Sequence, residues 1–201
     1  TVNAIGRNPV DGFLYGVIIK TGDGLTAGNL AKIKSDGSIE DRGAITGVTV
    51  ANLSAVVGGD FDEAGNLVVK PSGGTPFYSI DVSTRVATTV TITGASANNA
   101  ADMAYFNGKF YLQSSTTLYK VTKDAAPDYS WVAVAVSNAL LANGNSGEIY
   151  VDGFGDLTYN TIKSTGTRVQ YSATNVETHS LSARVTNRYE VTEYDNDDSD
   201  G

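Results

Sequence analysis

Four polar residues recur near the starts of four similar segments: Asn3, Asp60, Asp102 and Glu148. If they converge on one axis, three carboxylates and an amide oxygen could hold a cation, which needs six to eight hard oxygens. The same ring could accept hydrogen bonds from the hydroxyls of a ligand. The competing assignment is structural, because short polar side chains readily hydrogen-bond to neighbouring backbone. A second constellation closes the chain. Asn196, Asp198, Asp200 and Gly201 match the opening of a calcium loop, with alternating oxygen ligands and a glycine for the turn. Standing alone, such an acidic run is a solvated linker. Calcium is therefore the one cofactor the sequence suggests.

Other chemistries are poorly provided for. The 201 residues contain no Cys, which removes disulfides, thiolate metal sites and cysteine nucleophiles. The single histidine, His179, lies in the polar run Glu177-Thr178-His179-Ser180 and reads as a surface residue. No Gly-x-Ser-x-Gly elbow occurs. Asp60 and Asp62 could in principle serve a glycosidase but read as a poor pair. Trp131 could stack a sugar, but blade packing is the simpler role. These absences lead to the expectation that the chain is not an enzyme. A formal charge of -8 argues against nucleic acid as a partner. No apolar run approaches the ~18 residues a spanning helix needs, so membrane insertion is not expected. The chain begins with Thr and has no basic-then-apolar leader, so it reads as a processed product or excised piece.

The elements that must position these residues repeat. A turn residue, a glycine and an apolar strand recur at Asp11-Gly12-Phe13-Leu14-Tyr15, Ala64-Gly65-Asn66-Leu67-Val68, Asn107-Gly108-Lys109-Phe110-Tyr111 and Phe154-Gly155-Asp156-Leu157-Thr158. The four glycines stand 53, 43 and 47 positions apart, close to the ~40–50 residues of a propeller blade. Asn or Asp before Gly supplies the positive-φ corner of a tight hairpin. The flanking runs are rich in Val, Ile, Thr and Tyr, as strands are. Each unit reads as four strands: one before the glycine, one after it, a third such as Phe77-Tyr78-Ser79-Ile80 and a fourth such as Val86-Ala87-Thr88-Thr89-Val90. Helix signals are weak, the best window being Ser137 to Ala142. The expected fold is all-β, a β-propeller-like repeat of four-stranded antiparallel blades. Four units are visible, with a fifth or an incomplete ring as alternatives and Ser182–Tyr194 as the candidate closing strands. Residues 1–190 form this domain and residues 191–201 an acidic tail.

The phrases Asn3-Ala4-Ile5-Gly6-Arg7-Asn8-Pro9-Val10-Asp11-Gly12-Phe13-Leu14-Tyr15-Gly16, Gly59-Asp60-Phe61-Asp62-Glu63-Ala64-Gly65-Asn66-Leu67 and Asp102-Met103-Ala104-Tyr105-Phe106-Asn107-Gly108 resemble a propeller-like repeat of bacterial secreted and surface proteins, the DUF6923 type. The resemblance covers about residues 2–172 and brings no catalytic residues. It implies a module of a larger exported protein.

Three functions follow as expectations. The first is a non-catalytic extracellular or cell-surface module for adhesion, recognition or rigid spacing, whose partner is an extracellular protein or glycan. The second is a carbohydrate-binding or carbohydrate-active propeller that uses the carboxylates at the channel mouth. The third is a structural subunit that self-associates through exposed edges of an incomplete ring.

Overall fold

The computed structural model describes residues 1–73, 76–94, 100, 102–113, 118–123, 130–137, 144–151, 157–163, 168–173 and 183–184. They form four units of four antiparallel strands. The first is β1 (Val2–Arg7), β2 (Leu14–Ile18), β3 (Asn29–Ile33) and β4 (Ile39–Ala44). The second is β5 (Val56–Phe61), β6 (Asn66–Pro71), β7 (Phe77–Asp81) and β8 (Val86–Gly94). The third is β9 (Asp102–Phe106), β10 (Lys109–Gln113), β11 (Leu118–Lys123) and β12 (Ser130–Ser137). The fourth is β13 (Gly144–Val151), β14 (Leu157–Lys163), β15 (Arg168–Ala173) and β16 (Ala183–Arg184). Each unit is an up-and-down meander in sequence order, as expected of a blade. One helical turn, α1 (Val50–Leu53), joins the first two blades. Thr49 caps it, its side chain accepting from the Asn52 N–H. The window Ser137–Ala142 falls, beyond Ser137, outside the described residues, as does most of Ser182–Tyr194.

The hairpins form where the turn residues permit. Asn107 and Gly108 have φ of 48° and 76° and connect β9 to β10 through two residues, the twist-matched geometry such pairs favour. Alternation along the strands then divides blade 2 into two apolar faces. Tyr15 and Val17 of blade 1 meet Phe61, Leu67, Val69, Tyr78 and Ile80 of blade 2 in one core. Val68, Phe77 and Val90, on the other face of blade 2, meet Met103, Phe110, Leu112, Val121 and Trp131 of blade 3 in a second. Trp131 is 1% exposed and stacks on Phe110, ring centroids 5.2 Å apart and 13° from parallel. Blade packing is thus its role, and the sugar-platform alternative is set aside.

The inner strands follow one another around a channel: β1 packs on β5, β5 on β9 and β9 on β13. At the outer edge, blades 2 and 3 are joined. Ser130–Ala133 of β12 pairs in parallel with Thr91–Gly94 of β8, merging the two blades into one eight-stranded sheet.

Candidate functional site at the channel mouth

All four inner strands contribute to one cavity of about 510 Å³. Its walls include Ile5, Gly6 and Arg7 of β1, Gly59, Asp60 and Phe61 of β5, Asp102, Met103 and Tyr105 of β9, and Ile149, Tyr150 and Val151 of β13. Glu63, from the β5–β6 turn, adds a third carboxylate. The volume lies within the range of small-molecule sites. Carboxylates, one guanidinium and aromatic rings on a largely backbone scaffold can bind hydroxyls and stack on apolar ring faces.

The two aspartates also clamp neighbouring blades. Asp60 Oδ1 accepts from the Phe61 N–H at 2.8 Å, and its Oδ2 accepts from the Tyr105 N–H of the next blade at 2.8 Å. Asp102 repeats this: Oδ1 accepts from the Met103 N–H at 2.7 Å and Oδ2 from the Ile149 N–H at 3.2 Å. Asn3 makes the corresponding link with an amide. Its Oδ1 accepts from the Ala4 N–H at 2.8 Å, and its Nδ2 donates to the Val56 carbonyl at 3.2 Å. Glycines make room for the clamps. A β-carbon at Gly6 would stand 2.8 Å from Asp60 Oδ1, and one at Gly58 would stand 2.9 Å from Asp102 Oδ1. The inner strands approach closely only because these positions lack side chains.

Of the expected ring, Asp60 and Asp102 both line the cavity but do not stand level in it. Asp60 faces Val68, one pair from the Phe61–Leu67 pair that ends its hairpin. Asp102 faces Gln113, four pairs before the closing Phe106–Lys109 pair. The two therefore sit at different heights of the channel. Asn3 is not among the cavity's lining residues. The Glu148 backbone belongs to β13, but its side chain lies outside the described ones. Asn196, Asp198 and Asp200, and His179 with them, also lie outside the described residues. Among the described residues, no three His, Asp or Glu side chains group closely enough to hold a metal.

Asp60 is the electrostatically unusual member. Burial raises its pKa from 3.8 to about 7, against the opposing pull of the Phe61 N–H. A carboxyl near its midpoint at neutral pH can give or take a proton, the property general acid–base chemistry uses. Asp62, by contrast, lies one residue past the end of β5, and its side chain turns back into its own hairpin turn. It is 1% exposed, and its Oδ1 accepts from the Ala64 and Asn66 N–H groups at 3.1 and 2.8 Å. Lys123 of blade 3 reaches its Oδ2 at 3.4 Å. Asn8 builds the same turn in blade 1, its Oδ1 accepting from the Val10 N–H at 2.9 Å.

A further repeat holds the outer rim. Ile45-Thr46-Gly47 and Ile92-Thr93-Gly94 stand 47 residues apart. The Thr46 hydroxyl donates to the Arg85 carbonyl at 3.4 Å, and the Thr93 hydroxyl to the Trp131 carbonyl at 3.3 Å. Gly47 and Gly94, at φ of 83° and 87°, lie directly against the Ala87 and Ala133 carbonyls of the following blade. Sequence reasoning passed over this motif, although its exact recurrence was the signal.

Among the described residues no helix is long and apolar enough to cross a membrane. None of the curated proteins matches the chain. Among solved structures it resembles virginiamycin B lyase from Staphylococcus aureus, at 11% identity and a TM-score of 0.50, over 87% of this chain and 56% of that one. It also resembles the PQQ domain of pyranose dehydrogenase from Coprinopsis cinerea, at 12% identity and a TM-score of 0.55, over 85% and 50%. A third likeness is PorZ, a bacterial surface component of the type-IX secretion system of Porphyromonas gingivalis, at 13% identity and a TM-score of 0.52, over 92% and 22%. The chain thus spans about half the length of the first two, and identities this low speak for a shared propeller-like fold alone. They overturn the expectation that the chain is not an enzyme, because a lyase and a dehydrogenase domain stand on this fold. Lack of a recognisable catalytic motif in the sequence is no ground for exclusion. The repeat described as one of unknown function, DUF6923, matches residues 1–201, extending the likeness expected over residues 2–172, and the chain belongs to that family.

Proposed function

We propose that this domain is an extracellular recognition module that binds a polyhydroxylated ligand, a glycan, at the channel mouth. The observation that carries the reading is the cavity of about 510 Å³ with Asp60, Glu63, Asp102 and Arg7 among its walls and Phe61, Tyr105 and Tyr150 beside them. Carboxylates and a guanidinium give directional bonds to sugar hydroxyls, and aromatic rings cover the apolar ring faces. The extracellular setting is supported by the Cys-free, acidic composition and by the fold likeness to a bacterial surface component.

The test is calorimetric titration of a saccharide panel against the wild type and two variants, Glu63→Gln and Tyr150→Ala. Neither residue takes part in the aspartate clamps between blades. Saturable binding weakened at least tenfold by either substitution is expected. A panel that gives no saturable heat, or binding indifferent to both changes, contradicts the reading.

A further inference from the structure

The asparagines whose side chains are described are held by hydrogen bonds, with one exception. Asn3 and Asn8 accept from backbone N–H groups at 2.8 and 2.9 Å. Asn29 donates to Asp41 at 2.8 Å, Asn52 to the Tyr78 hydroxyl at 2.7 Å and Asn66 to Asp62 at 3.1 Å. Asn107 is the exception. It stands exposed at the β9–β10 corner, and among the described residues its side chain has no partner. Gly108 follows it, at φ of 76°. The Gly108 N–H enters none of the described turn bonds, and a β-carbon at Gly108 would meet nothing within 4 Å. An open amide nitrogen thus adjoins an unheld carboxamide. The corner of blade 1 lacks this arrangement, because Asn8 precedes Pro9, which has no N–H. Aspartates precede Gly12, Gly24 and Gly37, but an ionised carboxylate is a far poorer electrophile than a carboxamide.

We propose that Asn107 is a site of spontaneous deamidation, in which the Gly108 amide nitrogen attacks the Asn107 side-chain carbonyl carbon. The new bond joins Gly108 N to Asn107 Cγ and closes a five-membered imide. The Cγ–Nδ2 bond breaks, and the amide proton departs with that nitrogen as ammonia. Water then adds to one of the two imide carbonyls. Opening at the side-chain carbonyl gives aspartate. Opening at the backbone carbonyl gives isoaspartate, with the main chain rerouted through Cβ and Cγ. The net change consumes one water and releases one ammonia, with no oxidant, metal or enzyme. Glycine favours the attack because it has no side chain to shield the nitrogen and is the most conformationally free residue. Either product adds a negative charge. Isoaspartate also lengthens a two-residue corner whose geometry is matched to the strand twist. That corner ends β9, the strand that supplies Asp102, Met103 and Tyr105 to the channel mouth. The reaction does not depend on which ligand the mouth takes.

Ageing the folded full chain at mildly alkaline pH tests it, read by peptide mass spectrometry with isoaspartyl methyltransferase labelling. The peptide carrying Asn107 should convert to a mixture of aspartate and isoaspartate. Conversion should be about tenfold or more faster than at Asn29, Asn52 and Asn66, whose held side chains react only from locally opened states. The sequence has a second Asn-Gly pair, Asn143-Gly144, and lysines between the two place them in separate peptides. Asn107→Gln should leave its own peptide unconverted, since a six-membered ring closes far more slowly, while circular dichroism stays unchanged. An Asn107 peptide that remains amidated after ageing, conversion no faster than at the held asparagines, or equal conversion in Asn107→Gln would each overturn the proposal.

Discussion

Ionising Asp60 should cost the fold stability over a defined range of pH. Its carboxyl titrates at 3.8 when exposed and near 7 in the folded chain, because burial disfavours the charge. The folded state therefore binds the proton more tightly than the unfolded state. Its contribution is fully present below pH 3.8 and is lost as the pH rises through about 7. At 1.36 kcal/mol per unit, a shift of roughly three units corresponds to an upper bound of about 4 kcal/mol. Asp60→Asn keeps an oxygen acceptor for one of the two backbone N–H groups, from Phe61 or Tyr105, but cannot ionise. Its stability is lowered at pH 4 by about 1–3 kcal/mol for the N–H left unsatisfied. Urea denaturation of both proteins at intervals from pH 4 to pH 8 is the assay. The difference between their unfolding free energies should shrink, and can change sign, as the pH rises. The difference curve cancels carboxylates common to both, such as Asp36, Asp41 and Asp81, whose pKa values are lowered. Parallel curves over the whole range would refute the assignment of Asp60 as a buried, destabilised carboxylate.

Lys70 carries the opposite sign. It is 1% exposed, and burial lowers its pKa from 10.5 to about 8, so stability should rise as the pH climbs from 8 towards 10.5. Lys70→Met should abolish that rise in the same denaturation series. At the rim, Gly94→Ala combines a left-handed backbone with a close approach to the Ala133 carbonyl. It should cost about 1–3 kcal/mol, and Gly47→Ala at the equivalent seam should cost a similar amount, measured by thermal or urea unfolding.

The blades were legible in the sequence because their determinants are local. Asn107-Gly108 specifies its hairpin without help, and runs such as Phe77–Ile80 announce a strand by residue type. The strand after each repeat glycine, β2, β6, β10 and β14, begins within two residues of it. The clamp chemistry was not legible. The acceptors of Asp60 and Asp102 bond N–H groups 45 and 47 residues away, on the next blade. Only the stagger between inner strands decides that the two carboxylates occupy different heights. Likewise, the pKa of Asp60 depends on how completely blades 1 and 3 bury it, which no spacing rule conveys. The helical turn at Val50–Leu53 is four residues long, too short to show a period, and a threonine cap holds it.

The channel mouth is the centre of this account, and ligand binding there tests it most directly. Titration of the saccharide panel at pH 7, repeated with Glu63→Gln, reads the cavity without disturbing the clamps that hold the blades together. Saturable binding by the wild type that falls at least tenfold in the variant is the predicted result. A wild-type protein that binds no saccharide, or a variant that binds as well as the wild type, would contradict it.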